Sequence, residues 1–513
     1  MCISRTGCLG CSHGSSRRRF LQSCGVGAAT LALGAAAPEK PAVRVGLVFL
    51  ANSDEREIWP YPGYDCAKRQ AEVVQLLADK CPQVEFVPVT IAKPADLEKA
   101  LALRDTLDGY LIYTVTLNWG LMGTLGPIAR LGKPTLLADE YLGGSGVFLC
   151  GLGALRRQKL PVAAVSTTRP DDLALVARCF ADVKKPGVTP ASFAEQCEAV
   201  YRRTFAAAGP MKCVEDKAPL TEIGQCVRRM RESRFLIVGA GTVGLERDFL
   251  GAKGVYVGFE ELRSLYEKVD REQAAEQAKR WTATAEKVVE PTTDWLNRAG
   301  GVYLAMKALM KKHGTDSITM NCLGGFGSGQ LPAYPCLGFM QMLDDGEQGV
   351  CEAMPDDSVS TLMGRILTGR AGYVSDPAID TSKNQIVYSH CMALTKALGP
   401  AGPSNKFRIR TLHNRDPRGC CAQSFLPEGY MTTTFRTNVG AKKFVIHQAK
   451  AVGNLDAERG CRTQLLGEIR GDIGKLFAQW DLFGWHRVTL YGDVQEPLME
   501  FAKALGLEVI VEA

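Results

Sequence analysis

The feature that most constrains the fold is a repeated alternation of short, apolar, β-branched segments with longer amphipathic ones. It starts at Val43 with VRVGLVFL, passes through an amphipathic stretch at 65–79 to VEFVPVT, and passes through another at 95–105 to GYLIYTV. Apolar strands joined by crossover helices form parallel sheets that are covered on both faces. PTLLA and PVAAVS extend the pattern, which predicts an N-terminal α/β domain over 38–180.

A second cycle of the same kind starts with RFLIVGAGTVG at Arg234 and includes GVYVGF, predicted helices near 270–287 and 299–312, and SITMNCL. Strand-like segments dominate after residue 400: KFRIRTL, MTTTFRT, KKFVIHQAKAV, RTQLLGEI, WHRVTLYGD and EVIV. The predicted fold class is α/β, with two Rossmann-like parallel-sheet domains followed by a β-rich C-terminal domain. We place the second α/β domain at 181–365 and the β-rich domain at 366–513, which suits a chain of 513 residues.

Residues 1–37 differ from the rest because they carry four arginines and no acidic residue. Ser16–Gln22, SRRRFLQ, resembles a twin-arginine export signal, and a Gly- and Ala-rich run follows as far as Ala37. We predict a signal peptide cleaved near Pro38, and therefore a periplasmic or otherwise exported protein. A membrane anchor is the alternative, but Phe20–Ala37 is weakly apolar and has the minimum length for a span. We therefore expect no stable membrane span after cleavage.

The low net charge of the mature chain argues against polyanionic partners. The formal net charge is +6, and removal of the four leader arginines leaves +6 − 4 = +2. A nearly neutral chain predicts binding neither to nucleic acid nor to an anionic membrane.

Eighteen cysteines are present, and fourteen of them follow the leader, mostly within apolar segments. This placement is typical of small buried hydrophobic side chains. Cys8-x-x-Cys11 with His13 lies in the leader, lacks a second cysteine pair and would be lost on cleavage. The adjacent Cys420 and Cys421 would form a strained disulfide.

Gly239-Ala-Gly241-Thr-Val-Gly244 follows a predicted strand, and Glu260 comes about 20 residues later. This spacing supports one alternative function, a nucleotide-dependent oxidoreductase. However, only Leu245–Gly254 separates the motif from the next predicted strand, which is short for a crossover helix.

Two carboxylates and an imidazole fall at the ends of apolar segments: Glu352 after GVC, Asp376 after GYVS, and His390 after NQIVYS. Open α/β sheets bind ligands at strand ends, and such a set suits a hard cation such as Mn²⁺ or Mg²⁺. The structural alternatives are that Glu352 caps a helix, Asp376 is a turn residue and His390 is a core histidine. The residues alone leave both interpretations open.

These segments resemble the metal-site region of the L-fucose isomerase and L-arabinose isomerase superfamily over residues 40–513, and most clearly after residue 320. Cys351-Glu352 matches a Cys-Glu at a strand end, and Asp376 matches a second metal carboxylate. Ser389-His390 matches a Ser-His pair, and Gly484–Asp493, with His486, is similar to the strand that closes the family's site. Cys461-Arg462-Thr463 also resembles the relatives' C-terminal domains.

The resemblance implies a metal-dependent aldose–ketose isomerase that acts on a pentose or a 6-deoxyhexose through an enediolate. It implies Mn²⁺ or another divalent cation, with Glu352, Asp376, His390 and His486 as ligands and with Glu352 and Asp376 also catalytic. A small-molecule sugar as substrate and a homo-oligomer, a hexamer or a similar assembly, are implied as well.

The sequence departs from the family pattern at two places. Met354 stands where relatives carry Asp, with Asp356 and Asp357 close behind it, and Arg487 follows His486 where relatives often have a second histidine. His413 and His447 are spare candidates that we interpret as structural. The departure at Met354 supports a rival function, an exported carbohydrate-binding protein with a decayed isomerase site.

Overall fold

The structure is a computed structural model that describes residues 43–52, 60–412, 416 and 418–513. The predicted leader, its Cys8-x-x-Cys11 motif and His413 lie outside these residues, so cleavage and export stay predictions. In the described part of the chain, no helix has the length and apolar character needed to cross a membrane.

The first five strands form a fully parallel sheet in the order β2-β1-β3-β4-β5. The central strands are buried on both faces because helices cover both, as expected for continuous apolar strands. The strands are β1 (Val43–Leu50), β2 (Val84–Ile91), β3 (Gly109–Thr114), β4 (Thr135–Asp139) and β5 (Ala163–Val165). The helices are α1 (Cys66–Lys80), α2 (Leu97–Leu101), α3 (Leu125–Ala129), α4 (Ser145–Arg157), α5 (Pro170–Ala177) and α6 (Pro190–Arg202).

The second sheet has the order β11-β10-β6-β8-β7 and is parallel except for β7, which runs antiparallel to β8. Its strands are β6 (Arg234–Val238), β7 (Glu246–Phe249), β8 (Ala252–Val257), β10 (Ser317–Met320) and β11 (Gln348–Cys351). Its helices are α7 (Ile223–Glu232), α8 (Phe259–Tyr266), α9 (Arg271–Thr284), α10 (Thr293–Lys312), α11 (Cys322–Gly327), α12 (Cys336–Asp344) and α13 (Pro355–Thr368).

The glycine motif at Gly239–Gly244 leads from β6 into β7 rather than into a helix. A dinucleotide site needs the amino terminus of a helix at this turn to face the pyrophosphate. The local structure therefore removes the observation on which the oxidoreductase alternative rests.

The C-terminal region is built on seven strands in the order β16-β19-β12-β13-β18-β17-β20, and β16 also pairs with β17. That additional pairing closes six strands into a barrel, with β20 attached to β17. The strands are β12 (Tyr373–Asp380), β13 (Gln385–Ser389), β16 (Met431–Asn438), β17 (Lys443–Asn454), β18 (Gln464–Arg470), β19 (Arg487–Tyr491) and β20 (Glu508–Val511). Two helices lie in this region, α14 (Ile473–Gln479) and α15 (Gln495–Ala504).

A small sheet of β9 (Lys287–Val288), β14 (Phe407–Arg410) and β15 (Cys421–Ser424) joins the second α/β region to the C-terminal one. The predicted fold class, two parallel-sheet α/β regions followed by a β-rich region, is confirmed. The domain boundaries at 180 and 365 stay predictions.

Candidate metal and active site

Glu352 directly follows β11, at the carboxyl edge of the second sheet, in an unusual backbone conformation. Its φ is 69° and that of Ala353 is 51°, and both lie in the left-handed region that residues other than glycine seldom adopt. The Ala353 N–H donates to the Met320 carbonyl at the end of β10, over 2.9 Å, and so anchors the turn. Backbone strain of this kind costs about 1–3 kcal/mol per residue and is concentrated at functional sites.

The barrel brings the other three predicted residues together at one of its ends. Asp376 on β12 pairs with Ser389 on β13, so His390 comes immediately after the neighbouring strand. On the other side, β12 pairs with β19 through Ser375 and Arg487, so the antiparallel register places His486 beside Asp376. Side chains that are distant in sequence therefore share one end of the barrel.

The four side chains converge at the carboxyl edge of the second sheet. Ligand atoms of Glu352, His390 and His486 all lie within 4.8 Å of one another. Nε2 of His486 lies 3.0 Å from Oδ1 of Asp376 and 3.6 Å from Oε2 of Glu352. Both histidines are buried, whereas 30% of the Glu352 side chain and 23% of the Asp376 side chain are exposed. The carboxylates are thus the accessible part of the cluster.

The second nitrogen of His486 is held by Asp357 in the first turn of α13. Oδ2 of Asp357 lies 2.8 Å from Nδ1 of His486, and this carboxylate is completely buried beside Arg436. A carboxylate on Nδ1 fixes the ring and directs Nε2 at the other side, as it does in many metal sites. Nε2 of His486 and Nε2 of His390 are both buried without a well-directed hydrogen bond.

The electrostatics give the two accessible carboxylates different pKa values. Burial raises the pKa of Glu352, and the nearby charge of His486 only partly offsets that effect. Burial also acts to raise the pKa of Asp376, but the charges of His390 and His486 and the indole N–H of Trp485 hold it below the ordinary value. The Trp485 N–H donates to Oδ1 of Asp376 over 2.8 Å. Asp376 is therefore the more firmly ionised of the two.

Both imidazoles are readily protonated in this surrounding. Burial acts to lower the pKa of His390, but the charges of Asp376 and Cys391 and a hydrogen bond with Cys391 together raise it to about 9. Burial acts to lower the pKa of His486, but Glu352, Asp357 and Asp376 together raise it well above the ordinary value. Both rings therefore bind a proton more readily than a free histidine side chain does.

Glu352, Asp376 and His390 line a cavity of about 500 Å³ with mostly apolar walls. Trp119 and Trp485 stand edge to face in its wall, with their ring centres 6.0 Å apart. A Cβ at Gly146 would come within 2.3 Å of the Leu117 side chain, so glycine permits helix α4 to pack closely against the cavity wall. A few polar groups in a mostly apolar cavity are typical of a small-molecule site.

Comparison with known proteins relates part of the chain to a sugar isomerase. Two curated proteins named sulfoquinovose isomerase, from Priestia aryabhattai and Priestia megaterium (strain ATCC 12872 / QMB1551), are each 30% identical to it over 202 residues. The alignment covers 38% of this chain and 44% of each relative, so the chain spans less than half the length of these relatives. No protein-family model matches the chain.

Similarity to solved structures is weaker. A solute-binding protein of an ABC transporter from Burkholderia multivorans, with an unknown ligand assigned as α-D-erythrofuranose, shares 12% identity at a TM-score of 0.18, covering 64% of this chain and 94% of that one. The arabinose-binding periplasmic protein from Shewanella sp. ANA-3, bound to α- and β-L-arabinofuranose, shares 12% identity at a TM-score of 0.15, covering 58% and 82%. TM-scores this low support no statement about the fold or ligand of this chain.

The structure thus places Glu352, Asp376, His390 and His486 in one cluster, and it separates the spare candidate His447 from them. His447 is buried within the C-terminal region between Tyr388 and Glu512, at 2.7 Å and 2.9 Å. Sequence reasoning did not assign a role to Trp485, and it noted Asp357 only as an acidic residue close behind Met354. The acidic pair after Met354 was the available signal, but the contact with His486 depends on the tertiary structure.

Proposed function

We propose that this protein is a metal-dependent aldose–ketose isomerase that acts on a pentose or a 6-deoxyhexose, as expected for a relative of the L-fucose and L-arabinose isomerases. The observation that carries the proposal is the convergence of Glu352, Asp376, His390 and His486 beside a mostly apolar cavity. The partial similarity to sulfoquinovose isomerases supports the same reaction class.

The residues of the cluster suit a divalent cation. Two carboxylates offer oxygen ligands, and two buried Nε2 atoms lack a well-directed hydrogen bond. Carboxylate oxygens with imidazole nitrogens are suited to Mn²⁺ or Mg²⁺. When bound, such a cation supplies Lewis-acid stabilisation of the negative charge that develops on the sugar oxygens.

Glu352 is the residue that we assign to proton transfer. The strained turn after β11 directs its carboxylate to the cavity, and burial raises its pKa towards neutrality, which favours a general base. The carboxylate takes the proton from the carbon beside the carbonyl and returns it to the neighbouring carbon. A hydroxyl proton moves to the former carbonyl oxygen, so the aldose and ketose have the same composition. Asp376, the more firmly ionised carboxylate, holds the sugar or the cation.

The cavity wall supports the proposed class of sugar. Most of the cavity wall is apolar and consists of indole rings and aliphatic side chains: Leu117, Trp119, Leu142, Pro377, Leu412 and Trp485. Such a wall suits the hydrocarbon face of a pentose or the terminal methyl group of a 6-deoxyhexose better than a fully hydroxylated chain end.

The test is turnover by the purified protein with Mn²⁺ on a panel of pentoses and 6-deoxyhexoses, compared with Glu352→Gln. Glutamine keeps the size of the side chain and one oxygen but cannot accept the proton. We expect the rate to fall by about 10²–10⁴, the usual contribution of acid–base catalysis, without loss of folding. Glu500→Gln, on the exposed face of α15, is the matched control and should retain full activity.

Two outcomes would contradict the proposal. Wild-type protein that binds sugar and Mn²⁺ but forms no ketose would support the carbohydrate-binding alternative. Equal turnover by wild type and Glu352→Gln would show that Glu352 is not the group that transfers the proton.

A further inference from the structure

Cysteine sulfur atoms also line this cavity, close to His390. Cys351 is the last residue of β11, and Cys391 directly follows His390. Sγ of Cys351, Sγ of Cys391 and a ring nitrogen of His390 all lie within 4.8 Å of one another. Sγ of Cys336, at the start of α12, lies 3.4 Å from Sγ of Cys391 and supplies a further sulfur close by. None of these thiols takes part in the function proposed above.

The spacing matches a tetrahedral metal site better than a disulfide. With metal–sulfur and metal–nitrogen bonds of about 2.3 and 2.05 Å, two sulfurs lie about 3.8 Å apart and a sulfur and a nitrogen about 3.6 Å apart. Nδ1 of His390 lies 3.6 Å from Sγ of Cys391. A disulfide requires a sulfur–sulfur distance of about 2.05 Å, and Cys336, Cys351 and Cys391 are free thiols.

We propose that Cys351, Cys391 and Nδ1 of His390 form a second cation site, selective for a soft divalent ion such as Zn²⁺ or Cd²⁺. Two thiolates and one imidazole are a known three-ligand set for zinc, with the fourth position left to another ligand. Each thiol releases its proton when the cation binds, a protonated His390 also releases the proton on Nδ1, and no oxidation or reduction takes place. Thiolate ligands distinguish this site from the carboxylate site, which prefers harder cations.

His390 belongs to both sites, so a cation bound at the thiol site changes the affinity of the carboxylate site for its own cation. When Nδ1 binds a cation, the neutral ring carries its remaining proton on Nε2, which then donates a hydrogen bond and cannot act as a ligand. A soft cation at the thiols should therefore weaken Mn²⁺ binding at the carboxylates. This second effect rests on the metal site proposed above, whereas the thiol site itself does not.

The experiment is a titration of the reduced, metal-free protein with Cd²⁺, followed by the ultraviolet sulfur-to-cadmium charge-transfer band. We expect saturation at one Cd²⁺ per chain. Cys351→Ser and Cys391→Ser should each weaken binding by about tenfold or more, since each removes one of three ligands. Cys150→Ser is the matched control, because Cys150 lines the same cavity and is buried but lies beside Asp481. Glu352→Gln should keep the band.

Protection of thiols in the wild-type protein gives a second measurement that needs no variant. Cd²⁺ should slow maleimide labelling of Cys351 and Cys391 by about tenfold or more, because metal-bound thiolates are poor nucleophiles, and leave labelling of Cys150 unchanged. A band that survives both cysteine substitutions, or that Glu352→Gln abolishes, would overturn the thiol site. So would a Cys336–Cys391 disulfide in the protein as purified. Failure of isomerase activity would leave this result unaffected.

Discussion

At the scale of single residues, the site depends on one carboxylate that no catalytic step uses directly. Asp357 is completely buried, and its Oδ2 lies 2.8 Å from Nδ1 of His486. This contact keeps the proton of the neutral ring on Nδ1, so Nε2 presents a lone pair towards Glu352 and Asp376. Asp357 is therefore a positioning residue, and it gives the acidic pair after Met354 a physical role.

Replacing Asp357 by Asn tests this role. The asparagine amide can donate to Nδ1, which would move the ring proton to Nε2 and leave no lone pair for a cation. We expect the affinity for Mn²⁺, measured by isothermal titration calorimetry, to fall about 10–100-fold, as is usual when the partner that orients a metal ligand is changed. Asp356→Asn is the control, because Asp356 instead accepts the Val439 N–H. Equal Mn²⁺ affinities for the two variants would show that Asp357 does not position His486.

At the scale of elements, the C-terminal strand supports the strand that carries the site. Glu512, directly after β20, accepts hydrogen bonds from Arg487 at 2.9 and 2.8 Å, and it lies 2.9 Å from Nδ1 of His447. All three side chains are fully buried. Arg487 also donates to the carbonyl of His486. This ion pair therefore holds the start of β19 in place.

Glu512→Gln should destabilise the protein by about 3–5 kcal/mol, because it leaves a buried arginine without its counter-charge. Arg487 and His447 overcome the effect of burial and lower the pKa of Glu512 to about 2. Because the pKa of Glu512 is lower in the folded state than in the unfolded state, ionised Glu512 stabilises the fold at pH values above its unfolded-state pKa. This stabilisation is lost as the pH falls towards 2. Urea unfolding should therefore show a large difference from wild type at pH 7 and a smaller one in acid.

Glu508→Gln, on β20 but largely exposed beside Lys443, is the matched control for that measurement. A Glu512→Gln variant as stable as Glu508→Gln at neutral pH would show that the ion pair contributes nothing.

The elements also show what the sequence could reveal. The predicted stretches at 65–79 and 270–287 correspond closely to α1 (Cys66–Lys80) and α9 (Arg271–Thr284), because hydrophobic periodicity is a local property. The thiol cluster had no such signal, since Cys336, Cys351 and Cys391 come from three segments that only the fold brings together. Asp357 and Trp485 were missed for the same reason, because each acts through a residue more than 100 positions away.

At the scale of the whole molecule, the cavity lies where three parts of the chain meet. The second sheet contributes Glu352, the barrel contributes Asp376 and His390, and α4 of the first region contributes Ser145 and Cys150 to the wall. None of these parts contains the site alone. Resemblance to a family identified the four residues, but their convergence depends on the pairing of β12 with β13 and β19.

The most direct test of the central claim is anomalous diffraction from crystals of the protein grown with Mn²⁺. The account predicts one manganese peak bonded at about 2.0–2.3 Å to oxygens of Glu352 and Asp376 and to Nε2 of His390 and His486. A peak at another place, or no peak while the protein binds Mn²⁺ in solution, would contradict it.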